Sequence, residues 1–176
     1  MIIESNHSEQ ECLTFIDLFA GLGGFHIALR SLGCKCVFTS ELKEDLQQLY
    51  KLNFPDSPRI EGDITKVDLT TIPHHDILCA GFPCQAFSIV GERRGFEDTR
   101  GTLFREFARV VKECQPKVFI FENVQGLFKH DGGRTWEVIR STFEEYCGYD
   151  VHFQLMNARD YGVPQTRERL FCVGFK

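Results

Sequence analysis

The 176-residue sequence contains no apolar run approaching the roughly 18–20 residues that a membrane span requires. Its first residues, 1–11, are polar and partly acidic, without the basic start and apolar stretch of a secretory signal. A soluble, intracellular protein, cytoplasmic and with no membrane partner, is therefore expected. There are no internal repeats, low-complexity stretches or linkers, and the length fits one domain. None of the eight cysteines (Cys12, Cys34, Cys36, Cys79, Cys84, Cys114, Cys147 and Cys172) is spaced C-x-x-C. Cys34 and Cys36 form a C-x-C, which on a strand points both thiols to one face without closing a zinc site, so no metal is expected. Several thiols lie inside apolar runs, as in Ile77-Leu78-Cys79-Ala80 and Leu170-Phe171-Cys172-Val173. They read as small buried hydrophobes rather than a disulfide framework.

Positive charge is also short. Twenty Lys and Arg face 25 Asp and Glu, a net charge of −5, which is awkward for a protein that must hold phosphates. The distribution is more informative than the total. Residues 1–92 carry 6 basic and 13 acidic side chains, residues 93–117 carry 7 and 4, and residues 151–176 carry 4 and 2. Basic character thus collects in two segments, which alone could be no more than solvated faces.

What is present is a core-forming composition, 43% hydrophobic, with 17 Phe against a single Trp. Strand-like and helix-like segments alternate. Strands are expected over 13–18, 36–39, 76–80, 118–121, 151–156 and 170–175. Helices are expected over 25–31, 43–53, 103–114 and 135–146. Such alternation predicts a three-layer α/β sandwich with largely parallel strands. Ligands in these sheets sit outside the C-terminal ends of the strands. Four segments in such positions carry chemistry-bearing residues.

Asp17-Leu18-Phe19-Ala20-Gly21-Leu22-Gly23-Gly24 runs a strand into a glycine-rich turn and then a helix, so the backbone can approach a nucleotide-like ligand. Glu41, 20 residues beyond Gly21 and after the second strand, suits ribose hydroxyls. Asp63 could accept from an adenine amino group. G-x-G-G is not the dinucleotide G-x-G-x-x-G, which disfavours NAD, and the segment also reads as a tight turn with ordinary surface acids. Gly81-Phe82-Pro83-Cys84-Gln85 places a cysteine just past a buried strand, where a thiolate could act as nucleophile. Arg93, Arg94, Arg167 and Arg169 are candidate cations for it, and an unremarkable loop cysteine is the bland alternative. Residues 86–101 read as a long loop of the kind that closes active sites. Phe121-Glu122-Asn123-Val124 places a carboxyl group directly after an apolar strand, a candidate general acid if burial raises its pKa, or else a turn cap. Gln165-Thr166-Arg167-Glu168-Arg169 precedes the final strand as a charge run.

In this order, Asp17 to Phe25, Gly81-Phe82-Pro83-Cys84-Gln85-Ala86-Phe87-Ser88, Glu122-Asn123-Val124 and Gln165-Thr166-Arg167-Glu168-Arg169-Leu170 resemble the successive signature motifs of the cytosine-5 DNA methyltransferases. The segments 95–101 and 157–165 also look like family segments. The resemblance spans about residues 13–176 and is nearest to the bacterial restriction-modification members. It implies a Rossmann-like methyltransferase fold: a mostly parallel sheet with an antiparallel strand near the C-terminus and helices on both faces.

It also implies the reaction, methyl transfer from S-adenosyl-L-methionine to carbon 5 of a cytosine flipped out of double-stranded DNA. Cys84 would attack carbon 6, Glu122 would hold and protonate the N3 side, and Arg167 and Arg169 would orient the base and the cysteine. Asn123 would shape the Glu122 turn. For the cofactor, Phe19, Gly21 and Gly23 match the first motif and Glu41 the ribose acid. Asp63 and Ile64 match the adenine contacts, and Pro83 and Leu103 match residues near the methionine part. Leu42 stands where some relatives carry an aromatic that packs on adenine. Residues 1–176 are expected to form the catalytic domain, without the target-recognition domain and later motifs of the family. A complementary chain could carry those parts. The alternatives are a regulatory, non-catalytic subunit with the same fold, a tRNA cytosine-5 methyltransferase, and a nicotinamide-dependent oxidoreductase.

Overall fold

The structure, a computed structural model, describes residues 12–82 and 103–176. Pro83, Cys84 and the segment 86–101 lie outside the described residues. Seven strands form one sheet: β1 Thr14–Leu18, β2 Lys35–Ser40, β3 Ile60–Glu61, β4 Ile77–Ala80, β5 Val118–Val124, β6 Asp150–Asn157 and β7 Glu168–Phe175. Their order across the sheet is β3-β2-β1-β4-β5-β7-β6. β1 pairs parallel with β2 and β4, and β4 with β5. β7 runs antiparallel between β5 and β6. The expected mostly parallel sheet with a reversed strand near the C-terminus is observed. The chain builds outward from β1 through β2 to β3 and then returns to β4. This reversal opens a crevice beyond the C-terminal ends of β1 and β4.

Side-chain alternation sends each strand's residues to two faces. Ile16, Leu18, Leu78, Ala80, Phe119, Phe121, Leu170 and Cys172 point into the larger core. There they meet helix α3 (Leu103–Cys114) and a helical arm of α4 (Gly126–Lys129) and α5 (Arg134–Ser141). α3 buries Phe104, Phe107, Ala108, Val110 and Val111, one apolar stripe at helical spacing. Phe107 sits at the centre, with ring contacts to Phe82, Phe119, Phe121 and Phe143. A fully buried Phe contributes about 1.5–3 kcal/mol, so this cluster dominates the stability of the β4–β5 half. On the opposite face, Phe15, Ile77 and Cys79 meet Leu29 of helix α1 (Gly24–Ser31), with Cys34 and Cys36 packed alongside. Both thiols of the C-x-C thus turn to one side, as the spacing required. Helix α2 (Glu44–Asn53) covers the same face through Tyr50, whose hydroxyl reaches His26 Nδ1 (2.6 Å) and Thr39 Oγ1 (3.3 Å).

Several boundaries differ from expectation, and β7 begins at Glu168, so Arg169, expected before the final strand, lies within it. β5 continues through Glu122 to Val124, because β7 gives those residues antiparallel partners, so Glu122 lies within a strand. The helix expected over 135–146 is α5 followed by a π-helical turn, Thr142–Cys147, ended by Gly148. β3 and the 3₁₀ turns Ile64–Lys66 and Leu69–Thr71 are too short to leave a periodic signal. The side chains of Asp63 and Asp68 cap these turns.

Candidate active site

The turn leaving β1 is fixed from two sides. Phe19, Gly21 and Gly23 all take positive φ, so the chain reverses within five residues before α1 begins. The Ala20 N–H donates to the Ser40 carbonyl (3.1 Å), carrying the β1–β2 pairing past the end of β1. The Gly21 N–H donates to Glu41 Oε2 (2.8 Å), and the Lys43 N–H donates to Glu41 Oε1 (3.0 Å). Gln47 Nε2 donates to the Glu41 carbonyl (2.6 Å). Glu41 is buried, and both its oxygens are tied to backbone. Each keeps a lone pair that can accept from a hydroxyl. Gly23 is pressed against α2: an added Cβ would lie 2.2 Å from Phe54 Cε2 and 3.0 Å from Tyr50 Cε2. At Gly21 a Cβ would meet nothing within 4 Å, so that side of the turn is open to a ligand.

Beneath the turn lies Asp17, 1% exposed. Its carboxyl accepts from the His26 backbone N–H in the first turn of α1, while Oδ2 has no partner among the described residues. Burial pushes its pKa well above the usual carboxylate range, opposed by that hydrogen bond. This residue, read as part of a motif, caps the first turn of α1 from below the glycine turn.

The other expected cofactor residues scatter in role. Phe19 is partly buried, edge-on to Phe82 with centroids 6.0 Å apart. Leu42 is 68% exposed beside Glu41. Asp63 Oδ1 accepts from the Thr65 backbone N–H (3.1 Å) and hydroxyl (2.7 Å), which lowers its pKa. Oδ2 lies 3.6 Å from Lys66 Nζ. Ile64 points its side chain into the core, and its carbonyl accepts from Arg109 (3.0 Å). Leu103, at the start of α3, packs partly against the same core.

The second cluster lies at the C-terminal end of β5. Glu122 Oε1 is 2.8 Å from Arg169 Nε and 3.8 Å from Arg167 Nη2. The side chains of Glu122 and Arg169 are 25% and 24% exposed. Glu122, expected as a general acid or a turn cap, is paired with arginine because β7 runs back along β5, setting Arg169 opposite Val124 and Phe171 opposite Glu122. Glu122, Met156, Ala158, Tyr161, Arg167, Arg169 and Phe171 line a cavity of about 290 Å³. Met156, Tyr161 and Phe171 were not anticipated, although alternation along the final strand places Phe171 on the face of Arg169. Asn123, expected to shape a turn, instead bridges strands. Its Nδ2 donates to the Phe82 carbonyl (3.0 Å) and its Oδ1 accepts from the Val124 N–H (2.9 Å). It ties the exit of β4, immediately before Pro83 and Cys84, to the strand that carries Glu122.

The profile of the C-5 cytosine-specific DNA methylases matches residues 13–176. The chain belongs to this family. Among curated members it is 52% identical over 175 residues to the type II methyltransferase M.HhaI of Haemophilus parahaemolyticus, covering 99% of this chain and 53% of that protein. It is 54% identical over 175 residues to M.HpaII of Haemophilus parainfluenzae, covering 98% and 48%. The chain thus spans about half the length of these relatives. Among solved structures, one described as a DNA modification methyltransferase encoded within an E. coli prophage matches with a TM-score of 0.76 at 28% identity, over 93% of this chain and 47% of that one. The DNMT2 of Spodoptera frugiperda, at 22% identity and a TM-score of 0.75 over 93% and 50%, shares the fold of this family member.

Proposed function

We propose that the chain is the cofactor-and-catalysis unit of a cytosine-5 DNA methyltransferase of the restriction-modification type, acting in the cytoplasm on double-stranded DNA. Family membership supports the reaction class. The observation that carries the reading on to this chain's own residues is the Glu122 carboxylate, held by two guanidinium groups at the wall of a cavity beside the sheet's C-terminal edge.

S-adenosyl-L-methionine, when bound, supplies an electrophilic methyl group. The turn around Gly21 and Gly23 and the lone pairs of Glu41 suit its nucleoside part, with Phe19, Leu42, Asp63, Ile64, Pro83 and Leu103 as further contacts. Cys84 adds as thiolate to carbon 6 of the flipped cytosine. Glu122, having taken up a proton from solvent as the base binds, holds the N3 side and passes that proton to N3, so the ring's electrons localise at carbon 5, which would accept the methyl; the N3 proton returns to Glu122 as the thiolate leaves. Removal of the carbon 5 proton then expels the thiolate and restores the aromatic ring. Arg169, at 2.8 Å, fixes the Glu122 carboxylate in place, and Arg167 adds a second cation at the cavity rim. A guanidinium suits this task because it presents several donors in a rigid plane and stays charged.

Target recognition is assigned to a complementary segment or chain, in keeping with the half-length match to the curated relatives. The test uses duplex DNA containing 5-fluorocytosine in many sequence contexts, with Cys84→Ser as control. Fluorine cannot leave as a proton does, so turnover stalls as a denaturant-resistant adduct. An adduct that needs both cofactor and Cys84 supports the full reading. Cofactor binding without an adduct means that the chemistry waits on the complementary part. No cofactor binding overturns the proposal.

A further inference from the structure

Residues 158–167 leave the sheet between β6 and β7, and the ladder alone does not hold this excursion closed. Asn157, the last residue of β6, is 7% exposed. Its Oδ1 accepts from two backbone N–H groups on either side of the excursion, those of Arg159 (3.3 Å) and Arg167 (3.2 Å). The Ala158 N–H donates to the Arg167 carbonyl (3.0 Å), so both polar groups of the Arg167 backbone are engaged at this one point. Two residues further on, Arg169 reaches Glu122, and Arg167 itself supplies the second guanidinium. No other side chain among the described residues is seen to accept from the Arg167 N–H.

We infer that Asn157 is a positioning residue, whose side-chain oxygen sets the backbone of Arg167, and through it Arg167 and Arg169, against Glu122. The functional consequence rests on the reading of Glu122 and its arginines as the base-facing cluster, whereas the positioning itself does not. A side chain that accepts two hydrogen bonds at the neck of a loop fixes where the loop re-enters the sheet. Without it, Arg167 keeps its charge but loses the anchor of its Cα, and the distance to Glu122 broadens. Because the contact is made by an oxygen acceptor, Asp at 157 preserves it, while Ala removes it at the least disturbance to volume.

The test compares Asn157→Ala, Asn157→Ser and Asn157→Asp in the full chain by two measurements. The first is amide hydrogen exchange at Arg167 and modification of Arg167 and Arg169 by phenylglyoxal, neither of which requires activity. Asn157→Ala is expected to raise exchange at Arg167 at least tenfold and to speed modification of both arginines at least threefold. Asn157→Asp should match the parent, with Asn157→Ser between them and available should the Ala variant fold poorly. The second measurement is the rate of adduct formation on 5-fluorocytosine DNA at saturating cofactor. It is expected to fall at least tenfold in the Ala variant, with cofactor affinity unchanged and the Asp variant restored. Unchanged exchange and modification in Asn157→Ala overturn the positioning role. If the parent itself forms no adduct, that result bears on the proposed function and its complementary part alone, and the exchange and modification data still decide the role of Asn157.

Discussion

Replacing Gly23 with Ala should separate two contributions to the glycine turn that coincide in the parent. Gly23 has φ 85 and ψ 38, at the N-terminus of α1. An L side chain in this left-handed region costs about 1–2 kcal/mol. The new Cβ would also sit 2.2 Å and 2.8 Å from the Phe54 ring carbons. That ring cannot yield freely: Phe54 is buried and stacked on His26 at 3.9 Å and 11°, and Tyr50 beside it is fully buried. Overpacking of this kind costs typically about 1–3 kcal/mol. The sum is about 2–5 kcal/mol, which in a domain of this size lowers Tm by roughly 4–20 °C at about 2–4 °C per kcal/mol. Gly33, with φ 81 and nothing within 4 Å of its added Cβ, is the matched control. Gly33→Ala carries only the backbone contribution, about 1–2 kcal/mol. Thermal unfolding of the two variants side by side, followed by circular dichroism, measures the difference. Equal losses of Tm in the two would refute the claim that the α2 wall, rather than backbone conformation alone, demands glycine at position 23.

Gly21→Ala should cost the fold only the backbone contribution of a left-handed residue, about 1–2 kcal/mol, since the added methyl meets no atom of the described residues, yet lower S-adenosyl-L-methionine affinity at least tenfold by calorimetry. Unchanged affinity would move the cofactor away from this turn. Arg169→Lys keeps the charge but loses the guanidinium Nε that lies 2.8 Å from Glu122, and adduct formation on 5-fluorocytosine DNA should slow at least tenfold while Tm falls by only a few degrees, a charge-assisted contact being worth about 1.5–3 kcal/mol. Asp17, whose folded pKa burial raises, contributes stability that is fully present below its unfolded value near 3.8 and is lost as pH rises through the folded value. Asn cannot ionise, so urea unfolding at a series of pH values should show Asp17→Asn gaining on the parent from about pH 4 upward, by at most about 1.4 kcal/mol per pH unit. A pH-independent difference would show that the Asp17 carboxyl is not held neutral by burial.

The parallel half of the sheet was legible because its strands are short apolar runs closed by glycine turns, and local pattern suffices to announce such a unit. The stripe of α3 was legible for the same reason. The motif residues Asp17, Gly21, Glu41 and Glu122 stood just after or at the ends of strands, where the α/β architecture assembles ligands, and their family resemblance made the reaction class readable. Local sequence could not show that Asp17 faces inward as a cap for α1. From sequence, an acid in a conserved-looking motif is as readily a ligand contact. Nor could it show that Glu122 lies inside a strand, since β5 gains its last residues only by pairing with β7, some fifty positions later.

By itself, then, the sequence determined the α/β class, the order of its elements and the chemical types gathered at the strand ends, because periodicity, turn residues and motif order are properties of neighbouring positions. Tertiary structure alone decided the register of β7 against the end of β5, which brings Arg169 to Glu122. It alone placed Asn123 across the exit of β4 and made Asn157 the clasp of the arginine loop. Each of these depends on which strand lies next to which, and strand adjacency is set by packing across the whole sheet rather than by any local stretch of chain.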